Sequence, residues 1–259
     1  MKIGDLIGKI ADGVRSLLFP AKCVGCSKTL TDDETALCQA CNRAFVSAKL
    51  AVCEDCGEAI IACRCRFLGT SKLPLYSMLA YKPQRGAAVS DPVSHMLLSR
   101  KTYLDERTEE LLSRHMSVQV ECICCEYPDV LREDWLLAYP PRSRKKKTEV
   151  GHDQSEELAK RLSAMTGIAL TACLERRAHE DVAQKTLDAE QRALNAENSY
   201  RISDGANRLI RGKHVILIDD IATTGATLCT CASLLTGAGC ADVVALTVAR
   251  TVHAKHENM

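Results

Sequence analysis

Apolar positions follow three rhythms along this chain of 259 residues. Between Met1 and Phe19, Ile3, Leu6, Ile7, Ile10, Val14, Leu17 and Leu18 recur at helical spacing, which predicts an amphipathic helix over residues 1–20. The stretch lacks the compact apolar core and small-residue cleavage site of a secretory signal, so the favoured reading is a helix that docks on its own protein. Residues 21–67 are polar, cysteine-rich and too short to build a good core. From Leu73 the pattern changes again, to buried-strand runs alternating with amphipathic stretches, and residues 73–253 read as one α/β domain.

Within that domain the spacing predicts strands at Leu75–Tyr81, Asp134–Tyr139, Val215–Ile218 and Val243–Val248. Val118–Cys125 alternates and is expected to be a strand or its edge, with Cys122, Cys124 and Cys125 as small hydrophobes. Helices are expected to start near Asp91 and to run over Thr108–Met116, Gln154–Thr166 and Leu228–Leu235, with another capped by Asp188. In Gln154–Thr166, Leu158, Leu162 and Met165 line one face, Glu156, Glu157, Lys160 and Arg161 the other, and Gly167 suits the left-handed residue after a helix end. Strand, helix and strand from Val215 to Val248 form a right-handed βαβ unit of a parallel sheet.

Charge changes this picture little. Lysine and arginine total 34 against 33 acidic residues, a formal net charge of +1, so no global field demands a nucleic acid. Aromatics are 4% of the chain, few platforms for stacked bases, and no apolar run is long enough to span a membrane. The chain is expected to be cytoplasmic. One local exception is the run Arg142-Ser143-Arg144-Lys145-Lys146-Lys147, which follows a predicted strand. It suits pyrophosphate or a nucleic-acid backbone, and equally a solvated loop.

Cysteine changes it more. Fifteen cysteines are many for a reducing compartment unless metal holds them. Eight fall in four close pairs: Cys23/Cys26, Cys38/Cys41, Cys53/Cys56 and Cys63/Cys65. Each knuckle presents two thiolates from a tight turn, so two knuckles complete one tetrahedral zinc site and eight cysteines complete two. The simplest pairing joins Cys23/Cys26 with Cys38/Cys41 and Cys53/Cys56 with Cys63/Cys65; an interleaved pairing is the alternative. Disulfides and an iron–sulfur cluster are the less favoured chemistries. Cys173, Cys229, Cys231 and Cys240 are expected in the α/β core.

The densest chemistry follows the strand at Val215–Ile218. Asp219 and Asp220 sit at its carboxyl end, where open α/β sheets bind ligands. Thr223, Thr224, Gly225, Ala226 and Thr227 then make a turn with free backbone N–H groups at a helix N-terminus, suited to a phosphate. Acids for hydroxyls beside amides for phosphate point to a sugar phosphate. Asp219 to Thr227 resembles the phosphoribosyl-pyrophosphate (PRPP) motif of type I phosphoribosyltransferases. That resemblance implies a type I phosphoribosyltransferase-like parallel sheet, standing here behind the small cysteine-rich zinc-ribbon module. It also implies Asp219 and Asp220 on the ribose hydroxyls or on hydrated Mg²⁺, residues 223–227 on the 5′-phosphate, and Arg142, Arg144 and Lys145 on pyrophosphate.

The order of the two parts resembles the competence protein F (ComF) family. Leu17-Leu18-Phe19-Pro20-Ala21-Lys22-Cys23-Val24-Gly25-Cys26 is similar to its opening, and Tyr139 to Arg144 with Glu149, Gly151 and Gln154 to a Pro-Val-Pro…Arg-Gly-Phe-Asn-Gln segment. Here that segment reads Tyr139-Pro140-Pro141 and Val150-Gly151-His152-Asp153-Gln154, and the family's Pro-Gln is Ala183-Gln184. Arg192-Ala193-Leu194-Asn195 and Tyr200-Arg201-Ile202 resemble the approach to the motif strand. The family implies a link to DNA uptake and natural transformation, with single-stranded DNA and DNA-processing proteins as partners. It leaves two classes open: a phosphoribosyltransferase, or a zinc-containing adaptor that keeps the fold.

Overall fold

A computed structural model describes residues 20–31, 33–68, 71–82, 91–177 and 199–252. The leading helix, the Asp188 cap, Ala183-Gln184 and Arg192–Asn195 lie outside the described residues.

A sheet of six strands has the order β1-β2-β8-β7-β3-β4, with β1 Arg66–Leu68, β2 Ser71–Tyr81, β3 Trp135–Ala138, β4 Ala169–Leu170, β7 His214–Ala222 and β8 Asp242–Thr251. All neighbours are parallel except β1, which runs antiparallel to β2. The central strands are apolar at consecutive positions because both faces are covered. Ile216, Ile218, Val244, Leu246 and Val248 enter one core, while Val215, Leu217, Val243 and Ala245 enter the other. Helices α2 Pro92–Ser99, α3 Glu106–Cys125 and α5 Gln154–Thr166 feed the first core, and α7 Ala226–Gly237 the second. The second is completed by α6 Asn207–Ile210 and a two-stranded antiparallel ribbon, β5 Leu174–Arg176 with β6 Tyr200–Ile202.

α5 matches the sequence reading from end to end. Asp153 accepts from the amides of Ser155 and Glu156, and Gly167 closes the helix at φ 71°. Leu158 and Leu162 are buried, but Met165 is 41% exposed and drops off the predicted face. β7 runs on past Ile218 to Ala222, so both motif acids lie within the strand rather than just beyond it.

The expected strand at Val118–Cys125 is instead the second half of α3. Leu112, Met116, Gln119, Val120 and Ile123 are buried at helical spacing, which overrides the local alternation. Cys122 and Cys125 are exposed and Cys124 partly so. The basic run is only partly a loop: Arg142 and Ser143 have irregular backbone, and Arg144–Val150 is helix α4.

The cysteine module does not hang free. Its helix, α1 Gln39–Leu50, sends Phe45 into the same packed cluster as Met78, Leu79, Met116 and Val120. The Lys49 Nζ lies 2.9 Å from His115 Nδ1 on α3, and both side chains sit against the Phe45 ring. Deeper in the helical layer, Arg100 at the end of α2 makes a two-pronged ion pair with Glu109 on α3, at 2.5 and 3.0 Å. The two residues are 1% exposed. The Arg100 carbonyl is met by His152 Nε2 and by Gln154 Nε2, which ties this pair to the start of α5.

Candidate functional site

The carboxyl ends of β2, β3, β7 and β8 share one rim, and the candidate residues collect there. Asp219 is half-buried by surface area, yet its carboxylate is closely enclosed by protein. The hydroxyl of Ser155, in the first turn of α5, donates to Asp219 Oδ1 at 2.7 Å, and the Asp220 amide donates to the same oxygen at 2.9 Å. Burial pushes the Asp219 carboxyl up to about 7, and the charges of Asp220 and Asp153 push the same way, while the Ser155 and Asp220 donors oppose them. Asp220 Oδ1 accepts from the Ile221 amide. Two adjacent acids, one of them short of counter-charge, make an oxygen donor set that fits a hard divalent cation.

The turn follows at once. Thr223 and Thr224 are exposed, and Gly225 caps α7 in the left-handed region at φ 72°, where a side chain would be strained. Ala226 and Thr227, expected in the turn, are the first residues of α7. Amides of this first helical turn have no partner within the helix and open on the rim. Tyr200 on β6 is buried in the second core, 5% exposed, and receives Arg176 Nη1 at 3.3 Å. Burial pushes its phenol up to about 12, so it keeps its proton.

The basic run stands on the same rim, after β3. The Arg142 amide donates to Asp153 Oδ2 at 2.8 Å, which fixes the path of Pro140 to Ser143 beside the acids. Arg144 and Lys145 open α4; their side chains lie outside the described residues. Lys147 is paired with Glu156 of α5.

The eight predicted cysteines form two groups, Cys23/Cys26/Cys38/Cys41 and Cys53/Cys56/Cys63/Cys65, with the sulfurs of each group within 4.8 Å of one another. This is the simpler pairing, and the interleaved one is not what the chain adopts. Sulfur separations of 3.7 Å for Cys26–Cys38, 4.0 Å for Cys53–Cys65 and 3.5 Å for Cys56–Cys63 exclude disulfides. They fit a tetrahedral ion with Zn–S near 2.3 Å, whose sulfurs stand about 3.8 Å apart. Cys38 N donates to Cys23 Sγ at 3.2 Å and Cys65 N to Cys63 Sγ at 3.3 Å, as amides do in thiolate knuckles. Cys173, Cys231 and Cys240 are buried in the second core; Cys229 is partly exposed.

Sequence reasoning missed Ser155 as a partner of Asp219, from which it is separated by 64 residues, because a single serine at a helix start carries no signal. It also missed Arg250, whose Nη2 donates to Cys63 Sγ.

Comparison with known proteins picks out two stretches of the chain. Residues 153–258 match the phosphoribosyl transferase domain, and residues 14–70 match the double zinc ribbon domain. The "DNA utilization protein YhgH" of Salmonella typhi is 30% identical over 102 residues, 39% of this chain and 43% of that protein. These observations support a ComF-type family. The same match recurs in Salmonella typhimurium, and the chain spans less than half the length of the curated relatives it matches. Among solved structures, a hypoxanthine phosphoribosyltransferase from Staphylococcus aureus aligns with 58% of this chain and 76% of its own, at 14% identity and a TM-score of 0.36. A phosphoribosylpyrophosphate synthetase from Mycobacterium smegmatis aligns with 55% and 33%, at 18% identity and a TM-score of 0.31. The double zinc ribbon match and the cysteine clusters support structural zinc. Among the described residues no helix is long and apolar enough to cross a membrane.

Proposed function

We propose that the rim binds PRPP or a closely related sugar phosphate together with Mg²⁺. The observation that carries this reading is the pair Asp219-Asp220 in the last part of β7, separated by two residues from an exposed turn and helix N-terminus. In this reading Asp219 and Asp220 hold the ribose hydroxyls and the hydrated cation, with Ser155 fixing the orientation of the Asp219 carboxylate. Thr223 to Thr227 take the 5′-phosphate on backbone N–H groups and hydroxyls. Arg142, Arg144 and Lys145 are assigned to the pyrophosphate. Mg²⁺ supplies positive charge to the pyrophosphate as it leaves.

The chemistry such a site performs is substitution at ribose C1 by an acceptor, with the C1–O bond to pyrophosphate breaking. Its transition state resembles an oxocarbenium ion, so the chain contributes positioning and charge rather than a nucleophile of its own. The role we assign is in DNA uptake and natural transformation in the cytoplasm, as the ComF resemblance implies; the name of the Salmonella relative, a DNA utilization protein, and the basic helix α4 on the rim support a DNA-related role. The same two observations favour a second reading, a non-catalytic adaptor that grips single-stranded DNA.

Calorimetric titration of PRPP with Mg²⁺ into the zinc-loaded chain, beside Asp219→Asn/Asp220→Asn, tests the first reading. Binding that disappears in the variant supports it. A folded chain that binds no PRPP, but retains single-stranded DNA on a filter or gel, refutes it and supports the adaptor.

A further inference from the structure

The two cysteine groups look alike in sequence but not in surroundings. Arg250 lies near the end of β8, in register with Ala80 on one side and with Ala222, the residue before Thr223, on the other. Its guanidinium Nη2 donates to Cys63 Sγ at 3.1 Å, the same sulfur that accepts from Cys65 N. Cys63 is 2% exposed and packs with Cys53 and Ile60 against Ala80 and Val252 at the ends of β2 and β8. The second group is therefore seated on the rim of the sheet. The first group has backbone donors only: among the described residues, no cationic side chain donates to Cys23, Cys26, Cys38 or Cys41.

Four thiolates around one Zn²⁺ leave a net charge of about −2, from simple addition of the ligand charges. In a partly dehydrated setting that charge needs donors aimed at sulfur. A guanidinium brings both a hydrogen bond and a full positive charge. We infer that Arg250 is an outer-sphere ligand of the Cys53/Cys56/Cys63/Cys65 site, a side chain of the α/β sheet that holds the second zinc ion in the ribbon module. The two ions are then held unequally. The second depends on a residue 187 positions downstream of its own sulfur, and the first, among the described residues, on its own knuckles.

Removal of outer-shell partners weakens metal sites by about 10–100-fold. The test uses the full chain loaded with zinc, and its content is first counted by native mass spectrometry. Two ions per chain meet the premise; a folded wild-type chain without zinc overturns the zinc reading itself, separately from the role of Arg250. Wild type, Arg250→Met and Arg250→Lys are then titrated with EDTA. Zinc remaining is counted, and newly reactive cysteines are alkylated and mapped by peptide. Arg250→Met is expected to lose one ion at a chelator activity at least about 10-fold lower than wild type, opening Cys53, Cys56, Cys63 and Cys65 while Cys23 to Cys41 stay protected. Arg250→Lys keeps the charge with fewer donors and loses the same ion at an intermediate chelator activity. Release at the wild-type point overturns the inference. So does equal alkylation of both groups in Arg250→Lys, which also covers the case in which Arg250→Met does not fold.

Discussion

Replacing Asp219 by asparagine should make the ligand-free protein more stable, and only above acidic pH. The Asp219 carboxyl is held at about 7 in the fold against 3.8 in the free chain, first by burial and then by Asp220. An acid whose native value is raised stabilises the fold while it is protonated. That advantage is complete below the unfolded value and is lost as pH rises through the native value, so the wild type forfeits stability between about pH 4 and 7 and is level above. A gap of this size corresponds to roughly 4 kcal/mol at full strength. Asp219 is half-buried and shares its charge with Asp220, so about 1–2 kcal/mol is recoverable. The asparagine side chain keeps the Oδ1 acceptor that Ser155 and the Asp220 amide use, so no hydrogen bond is orphaned. In magnesium-free, phosphate-free buffer the variant should melt about 2–8 °C higher at pH 8. At pH 5.5 the gain should fall to about half, because the native wild-type carboxyl is then mostly protonated. Equal or lower melting at pH 8, or a gain that does not shrink on acidification, would refute the electrostatic account of this site.

Three other outcomes are expected. Glu109→Gln strands the Arg100 guanidinium in the helical layer, and urea unfolding should show a loss of about 3–5 kcal/mol. Gly225→Ala places a side chain at φ 72°, so melting should register a loss of about 1–2 kcal/mol, and calorimetry a weaker PRPP affinity than wild type. Complete removal of zinc should lower the melting temperature of the whole chain, and circular dichroism that shows an unchanged melt with zinc verifiably absent would count against structural metal.

The parts legible in the sequence are those specified by neighbours in the chain. Helix α5 carries its own cap at Asp153, its own stop at Gly167 and a three- to four-residue apolar spacing, and β7 carries an uninterrupted apolar run. The second half of α3 reads as a strand because Val118, Val120, Cys122 and Cys124 alternate. The longer period of Leu112, Met116, Val120 and Ile123 runs through the same residues and decides the outcome, since it is the one that meets a core. In the site, Asp219 to Thr227 is contiguous and readable. Ser155 and Arg250 reach their partners only through sheet register and helix placement, and no local spacing encodes either contact. The cysteine pairing is open on spacing alone, and the fold of the module selects one of the two arrangements.

Phe45 carries a consequence for how this architecture can be divided. It belongs to the ribbon module by chain position and to the α/β core by packing, beside Met78, Leu79 and Met116. The stretch that matches the phosphoribosyl transferase domain begins at residue 153 and so omits β2, β3, α2 and α3, which flank β7 and β8 or cover one of their faces. Neither the ribbons nor that stretch is a separable building block. A gene fragment cut at either boundary would encode strands with no neighbours or a core with its lid removed. A descendant that shed the ribbons would have to cover the methionines they leave bare in the same step.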